Sequence, residues 1–77
     1  MSPELPVLKP RRVLRALLRA GFIVHHQTGS HAQLRHPEKV HLRVTVPRHD
    51  RFDLPVGVLR SILRQAEMTV EQFLELL

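Results

Sequence analysis

Histidines are the side chains of this 77-residue sequence best suited to proton transfer, and six of them are present. His31 stands out because it directly follows Gly29 and Ser30, residue types that favour a tight turn. An imidazole with a reference pKa of about 6.5 can accept a proton from an attacking hydroxyl or donate one to a leaving group. Gly29 would let the backbone approach a phosphate closely, and Ser30 can donate a hydrogen bond to it. On its own, however, the tripeptide is explained more simply by a surface histidine that caps its own turn.

Several other chemistries are disfavoured by composition. The chain has no cysteine, which excludes disulfides and thiolate zinc sites. No HExxH spacing occurs, and adjacent His25 and His26 would point to opposite faces of a strand, so neither a metal nor a cofactor is expected. Tryptophan and tyrosine are absent and only three phenylalanines are present, so recognition built on aromatic stacking is a weak candidate.

The charge distribution favours a nucleic-acid partner. Lysine and arginine total twelve against seven acidic residues, and ten of the twelve are arginine, whose planar fork matches phosphate oxygens. A coding bias explains the arginine ratio equally well, but residues 1–64 carry twelve basic and four acidic groups, whereas 65–77 carry three acidic groups and no basic one. This asymmetry predicts that the functional surface lies in the basic part, residues 1–64, and that the acidic C-terminal part is separate from it. No apolar run is long enough to span a membrane and no signal-peptide core is present, so we expect a cytoplasmic protein without a membrane partner.

The elements that position these residues are predicted from hydrophobic spacing. A basic amphipathic helix is expected from Lys9 to Ala20, with Pro10 in its first turn and Gly21 as its left-handed end. Its apolar arc comprises Val13, Leu14, Leu17, Leu18 and Ala20, and its other face comprises Arg11, Arg12, Arg15 and Arg19.

Three strands in an antiparallel meander are predicted next, over Phe22–Gln27, His31–Arg35 and Val40–Val46. Alternation places Phe22, Val24 and His26 inward, His26 as a core histidine with a hydrogen-bond partner. The alternation leaves on the outer, polar face His25, His31, Gln33, Arg35, His41 and Arg43. Arg35 and Arg43 are the expected phosphate contacts, and Gln33 lies between them and His31. For His49, a role as second acid or phosphate contact and a role in helix-entry structure stay equally open.

The last third of the chain is predicted to be helical. Asp53 is expected to cap a helix that holds Pro55 in its first turn, and Thr69 with Gln72 forms a capping box for a short final helix through Leu77. The fold class is therefore α+β, in the order α-β-β-β-α-α, with a three-stranded antiparallel sheet and helices on one face. This arrangement resembles the double-stranded-RNA-binding fold. We interpret residues 1–77 as one domain, with 1–8 as an N-terminal extension.

Four segments in register carry a family resemblance: Gly21-Phe22, Thr28-Gly29-Ser30-His31, Val46-Pro47-Arg48-His49 and Gly57 to Ala66. Together they resemble the HicA family, the toxins of HicA–HicB toxin–antitoxin pairs. The resemblance runs from about Pro10 to Leu76. One departure is Val58, where the family commonly has threonine, which bears on a helix cap or polar contact and not on the histidine motif.

The resemblance implies an endoribonuclease that degrades messenger RNA and is silenced by a HicB-type antitoxin, with the catalytic histidine at His31. Such a histidine would act on the RNA 2′-hydroxyl without a metal and leave a cyclic phosphate. The predicted RNA-binding residues are Gly29, Ser30, Gln33, Arg35, Arg43 and His49. An RNA-binding module without catalysis is the alternative. A protein-interaction domain is a weaker explanation, because it does not account for the positive charge of residues 1–64. The oligomeric state stays open.

Overall fold

Helices and strands follow one another in the predicted order in the computed structural model, which describes residues 4–77. The elements are α1 (Pro10–Arg19), β1 (Ile23–Gln27), β2 (His31–Arg35), β3 (Arg43–Pro47), α2 (Val56–Gln65) and α3 (Val70–Glu75). The strands form an antiparallel sheet in the order β1-β2-β3. The α+β class and the predicted order are confirmed.

The core lies between the sheet and the helices, because α1 and α2 both lie against β3. Leu17 of α1, Leu34 of β2 and Leu59 of α2 are fully buried in it, as is Phe73 of α3. The N-terminal segment also belongs to this core. Leu5 and Leu8 are buried, and the Leu8 carbonyl accepts a hydrogen bond of 2.8 Å from the Leu54 amide. These leucines are therefore part of the folded domain, and their burial contributes to its stability.

Most of the predicted helix signals are confirmed. Pro10 occupies the first turn of α1, and Gly21 follows that helix with a φ of +99°, a conformation that glycine adopts without strain. Thr69 and Gln72 form the reciprocal capping box of α3. The predicted inward position of Leu18 is wrong, because its side chain is exposed at the rim of the helix.

The predicted start of α2 is also wrong. Pro55 is the residue before the helix and lies in an extended conformation, so α2 begins at Val56 and has no side-chain cap. The carboxylate of Asp53 instead accepts a hydrogen bond of 3.2 Å from Nζ of Lys9. A cation 44 residues away in the sequence has taken the group that local spacing assigned to the cap.

The facing of β1 differs from simple alternation because the strand contains a bulge. The pairing runs from Val24 opposite Leu34 to His26 opposite Gln33, so the register shifts at His25. An extra residue in a strand reverses its inward and outward positions beyond the bulge. His26 consequently lies on the open face, and the prediction that it is a core histidine is wrong. Even Val24, ahead of the bulge, is 42% exposed, and the main contacts of α1 and α2 with the sheet are made to β3 rather than to this strand.

The buried histidine is His36, in the connection from β2 to β3, with 8% of its surface exposed. Its Nδ1 accepts hydrogen bonds from the Glu38 and Lys39 amides, both of 3.2 Å. Nδ1 is therefore the unprotonated nitrogen, and Nε2 donates to the Ala20 carbonyl at 3.2 Å. Because this connection extends through Leu42, β3 begins at Arg43 and not at the predicted Val40. The side chain of Val40 is 74% exposed.

Candidate active site

The turn before β2 is closed by its own side chains. The Thr28 amide donates to the His31 carbonyl at 2.9 Å, and the His31 amide donates to Oγ1 of Thr28 at 3.1 Å. The Ser30 carbonyl accepts a further bond of 2.7 Å from the Arg48 amide, just beyond β3. The backbone that carries His31 is thus fixed both to its own turn and to the end of the neighbouring strand.

The imidazole of His31 is exposed at the start of β2 and held from one side. Its Nδ1 shares a hydrogen bond of 3.0 Å with the Ser30 hydroxyl. Within residues 4–77, Nε2 makes no hydrogen bond, so this nitrogen is available to exchange a proton with a bound molecule. Ser30, which the sequence analysis predicts as a phosphate contact, is half-buried and orients this ring through that hydrogen bond.

The predicted polar residues of β2 and β3 do share one face. His31 lies opposite Pro47, Gln33 opposite Thr45 and Arg35 opposite Arg43. Because alternate residues point the same way, His31, Gln33 and Arg35 form one row about 13 Å long. A polynucleotide lying along that row would meet the imidazole at one end and two guanidinium groups at the other.

The two arginines form an unusual pair, because like charges directly opposite each other destabilise a sheet. In the part of the chain that the structure describes, neither Arg35 nor Arg43 has a carboxylate within 4.0 Å. An uncompensated pair of guanidinium groups suits a phosphate, which each can bind through two hydrogen bonds. Arg35 is half-buried and Arg43 exposed, so both are accessible.

Two further residues of the sequence prediction, Gly29 and His41, lie outside this row. Gly29 is exposed, its φ is not in the left-handed range, and a Cβ placed there would meet nothing within 4 Å. The backbone at Gly29 is therefore open to a large anion. His41 lies in the turn before β3, where its Nε2 is 3.3 Å from a carboxylate oxygen of Glu67, away from the row.

Beyond β3 the chain turns through His49, an exposed residue whose side chain borders an apolar groove. The guanidinium of Arg48 donates two hydrogen bonds to Asp50, of 3.2 and 3.0 Å. That hydrogen bonding lowers the pKa of the Asp50 carboxyl, with smaller contributions from the positive charges of Arg48, Arg11 and His49 and a partly opposing desolvation. Arg48 is thus committed to its own loop, unlike Arg35 and Arg43.

Sequence reasoning missed His26 as a member of the open face. His26 lies opposite Gln33, the middle residue of the polar row. Together with the neighbouring His25, it adds two imidazoles on the strand beside that row. No residue type in the stretch from Phe22 to Gln27 announces the bulge, so the alternation gave no signal of it.

The described part of the molecule offers neither a metal site nor a membrane-spanning helix. Among residues 4–77, no three histidine, aspartate or glutamate side chains are grouped so that they could hold a metal ion. None of the helices there has the length and apolar character required to cross a membrane.

Comparison with known families bears on the identity of this fold. Residues 10–68 match the family model described as the HicA toxin of bacterial toxin–antitoxin systems. No curated protein matches the chain. The matched range takes in α1, the whole sheet with His31, and α2. The chain therefore belongs to the HicA toxin family.

Proposed function

We propose that this toxin is an endoribonuclease that cleaves messenger RNA without a metal ion, with His31 acting on the ribose 2′-hydroxyl. The observation that carries the proposal is the placement of His31. Its ring is exposed, oriented through Nδ1 by Ser30, and followed along the same face by two arginines that have no acidic partner within residues 4–77. A histidine that merely capped its turn would not require an unneutralised cationic row beside it.

The reaction follows from the properties of these groups. Nε2 of His31 removes the proton of the 2′-hydroxyl, and the oxygen attacks the adjacent phosphorus. The bond from phosphorus to the 5′-oxygen breaks, a proton is donated to that leaving oxygen, and a 2′,3′-cyclic phosphate remains. His49, two residues beyond the ladder partner of His31, is our candidate for that proton donor. Arg35 and Arg43 bind phosphates along the strand, and the open backbone at Gly29 approaches the anion.

Regulation and location follow from the same activity. A toxin of a toxin–antitoxin system needs an inhibitor, and we propose a HicB-type antitoxin that covers the open face and blocks access to His31. Action on messenger RNA places the protein in the cytoplasm.

The test is cleavage of a labelled messenger RNA by purified protein in the presence of a metal chelator. The wild type is expected to cut the RNA and leave cyclic phosphate ends, and His31→Ala to cut about 10²–10⁴-fold more slowly, as removal of a positioned acid–base group does. His41→Ala is the matched control, because that imidazole contacts Glu67 and not the row. It is expected to retain activity.

Two results would contradict the proposal. If His31→Ala, with an unchanged melting temperature, cleaves RNA at the wild-type rate, the catalytic assignment is wrong. If the wild type binds RNA in a salt-dependent manner but cuts none, the protein is a binding module, which the same basic face would also serve.

A further inference from the structure

An apolar groove of about 350 Å³ lies at the end of β3, where it is bordered by Pro47 and His49. Its walls are Pro10, Pro47, His49, Phe52, Leu54 and Val58, together with the side chains between them. Pro47 is the residue that lies opposite His31 in the β2–β3 ladder. Because Cα atoms of paired antiparallel residues are about 4.5–5.5 Å apart, one wall of the groove lies on the strand position next to His31.

The aromatic wall of this groove is Phe52, whose exposed ring is not part of the hydrophobic core. Phe22 and Phe73 are buried, whereas Phe52 is 67% exposed. Its backbone is nevertheless held in a turn, because the Phe52 amide donates a hydrogen bond of 3.0 Å to the His49 carbonyl. The turn therefore presents a flat ring to solvent at the rim of the groove.

The charges around the groove are positive once its internal pairs are subtracted. Lys9 neutralises Asp53 at 3.2 Å, and Arg48 neutralises Asp50 at 3.0 Å. Arg11, close enough to lower the pKa of Asp50, has no carboxylate within 4.0 Å among residues 4–77, and the same holds for Arg51, next to Phe52. An apolar slot with an aromatic wall and a cationic border matches a nucleotide, which combines a flat base with an anionic phosphate.

We infer that this groove is a nucleobase subsite, in which an unpaired base next to the cleaved phosphate stacks on Phe52. The inference rests on the proposed ribonuclease function and adds to it a preference for single-stranded RNA. The base enters between Phe52 and Pro47, and its phosphate lies toward His31. A volume of about 350 Å³ is at the small end of the range of about 300–1,000 Å³ for small-molecule sites, which suits one base and not a longer segment.

Binding of single-stranded RNA to proteins with the His31→Ala substitution tests the subsite without cleavage. Adding Phe52→Leu keeps apolar volume but removes the aromatic face, and it is expected to weaken RNA binding about 5- to 150-fold, the range that loss of base–aromatic stacking produces. Phe52→Trp is expected to restore binding. Val40→Ala, which alters another exposed apolar side chain outside the groove, is expected to leave affinity unchanged.

A set of RNAs with an abasic residue at successive positions identifies the stacked base. At one position, removal of the base is expected to weaken binding to the protein with Phe52 and to have no effect on Phe52→Leu, which shows that the two deletions remove one contact.

The failures are distinguishable. If the protein binds RNA but Phe52→Leu binds equally tightly, the subsite is refuted and the ribonuclease proposal stands. If Phe52→Leu weakens only the capture of an antitoxin protein and not the binding of RNA, the groove is a protein contact and the inference is wrong. If no RNA binds at low salt, the proposed function and the subsite fail together.

Discussion

Replacement of Gly21 by alanine tests how the fold connects α1 to the sheet. Gly21 has a φ of +99°, and its amide donates a hydrogen bond of 3.1 Å to the Leu18 carbonyl at the end of the helix. A Cβ at this position would lie 2.8 Å from Nε2 of His36, which is closer than carbon and nitrogen normally approach. The same nitrogen donates the hydrogen bond to the Ala20 carbonyl, so the added methyl group disturbs backbone and side chain together.

The expected loss follows from these two effects. A left-handed conformation costs a residue with a Cβ about 1–2 kcal/mol, and loss of the hydrogen bond between His36 and Ala20 costs about 0.5–1.5 kcal/mol. Gly21→Ala should therefore lower the free energy of unfolding by about 1.5–3.5 kcal/mol. At about 0.05–0.15 kcal/mol per residue, a chain of 77 residues has about 4–12 kcal/mol in total. The corresponding fall in melting temperature is roughly 6–28 °C.

Urea denaturation followed by circular dichroism measures this loss, and Gly29→Ala is the matched control. Gly29 is not in the left-handed range, and a Cβ there would contact nothing within 4 Å. Its replacement is expected to leave stability unchanged or to raise it by about 0.4–1 kcal/mol through the unfolded chain. Equal free energies of unfolding for the two variants would refute the role assigned to Gly21 and to its contact with His36.

Three further predictions concern charge and packing. Arg35→Ala or Arg43→Ala should reduce the slope of log affinity for RNA against log salt by about 0.7 and, by relieving like-charge repulsion, raise stability by about 0.2–1 kcal/mol in urea denaturation. Asp50→Asn should tighten RNA binding, measured by titration, because it frees the Arg48 guanidinium. Since the folded-state pKa of Asp50 is lowered, the stability that its charge provides is present above the ordinary aspartate pKa and is lost as the pH falls through the lowered value, so wild type and variant should converge in acid. Leu8→Ala should cost about 2–3 kcal/mol in thermal or urea unfolding, although the residue precedes the family match.

Local signals predicted the helices well because the interactions that end them are local. Pro10, Gly21 and the pair Thr69–Gln72 act within a few residues of their own position, and each lies where its chemistry requires. Asp53 failed as a cap because Lys9, from the opposite end of the chain, binds its carboxylate. A sequence pattern carries no information about such a distant partner.

The same distinction explains the histidines. The Gly-Ser turn fixes His31 at the start of a strand, and the turn is encoded in adjacent residues, so the position of this candidate was predictable. His26 was not, since a bulge at His25 reverses the side to which it points. Neither was His36, whose carbonyl partner lies 16 residues earlier in the turn after α1.

The inner face of the sheet stabilises the fold, whereas the outer face carries an arrangement of charges that does not, and this difference bears on function. The inner face is filled by side chains such as Leu34 and Val44, so stability is supplied there. On the outer face, Arg35 and Arg43 oppose each other without acidic neighbours in the described chain, an arrangement that weakens the fold. A face that stabilised the protein would replace one arginine by a neutral or acidic residue. Because the pair instead shares a row with His31, the outer face fits the anionic RNA ligand that we propose for it better than any need of the fold itself.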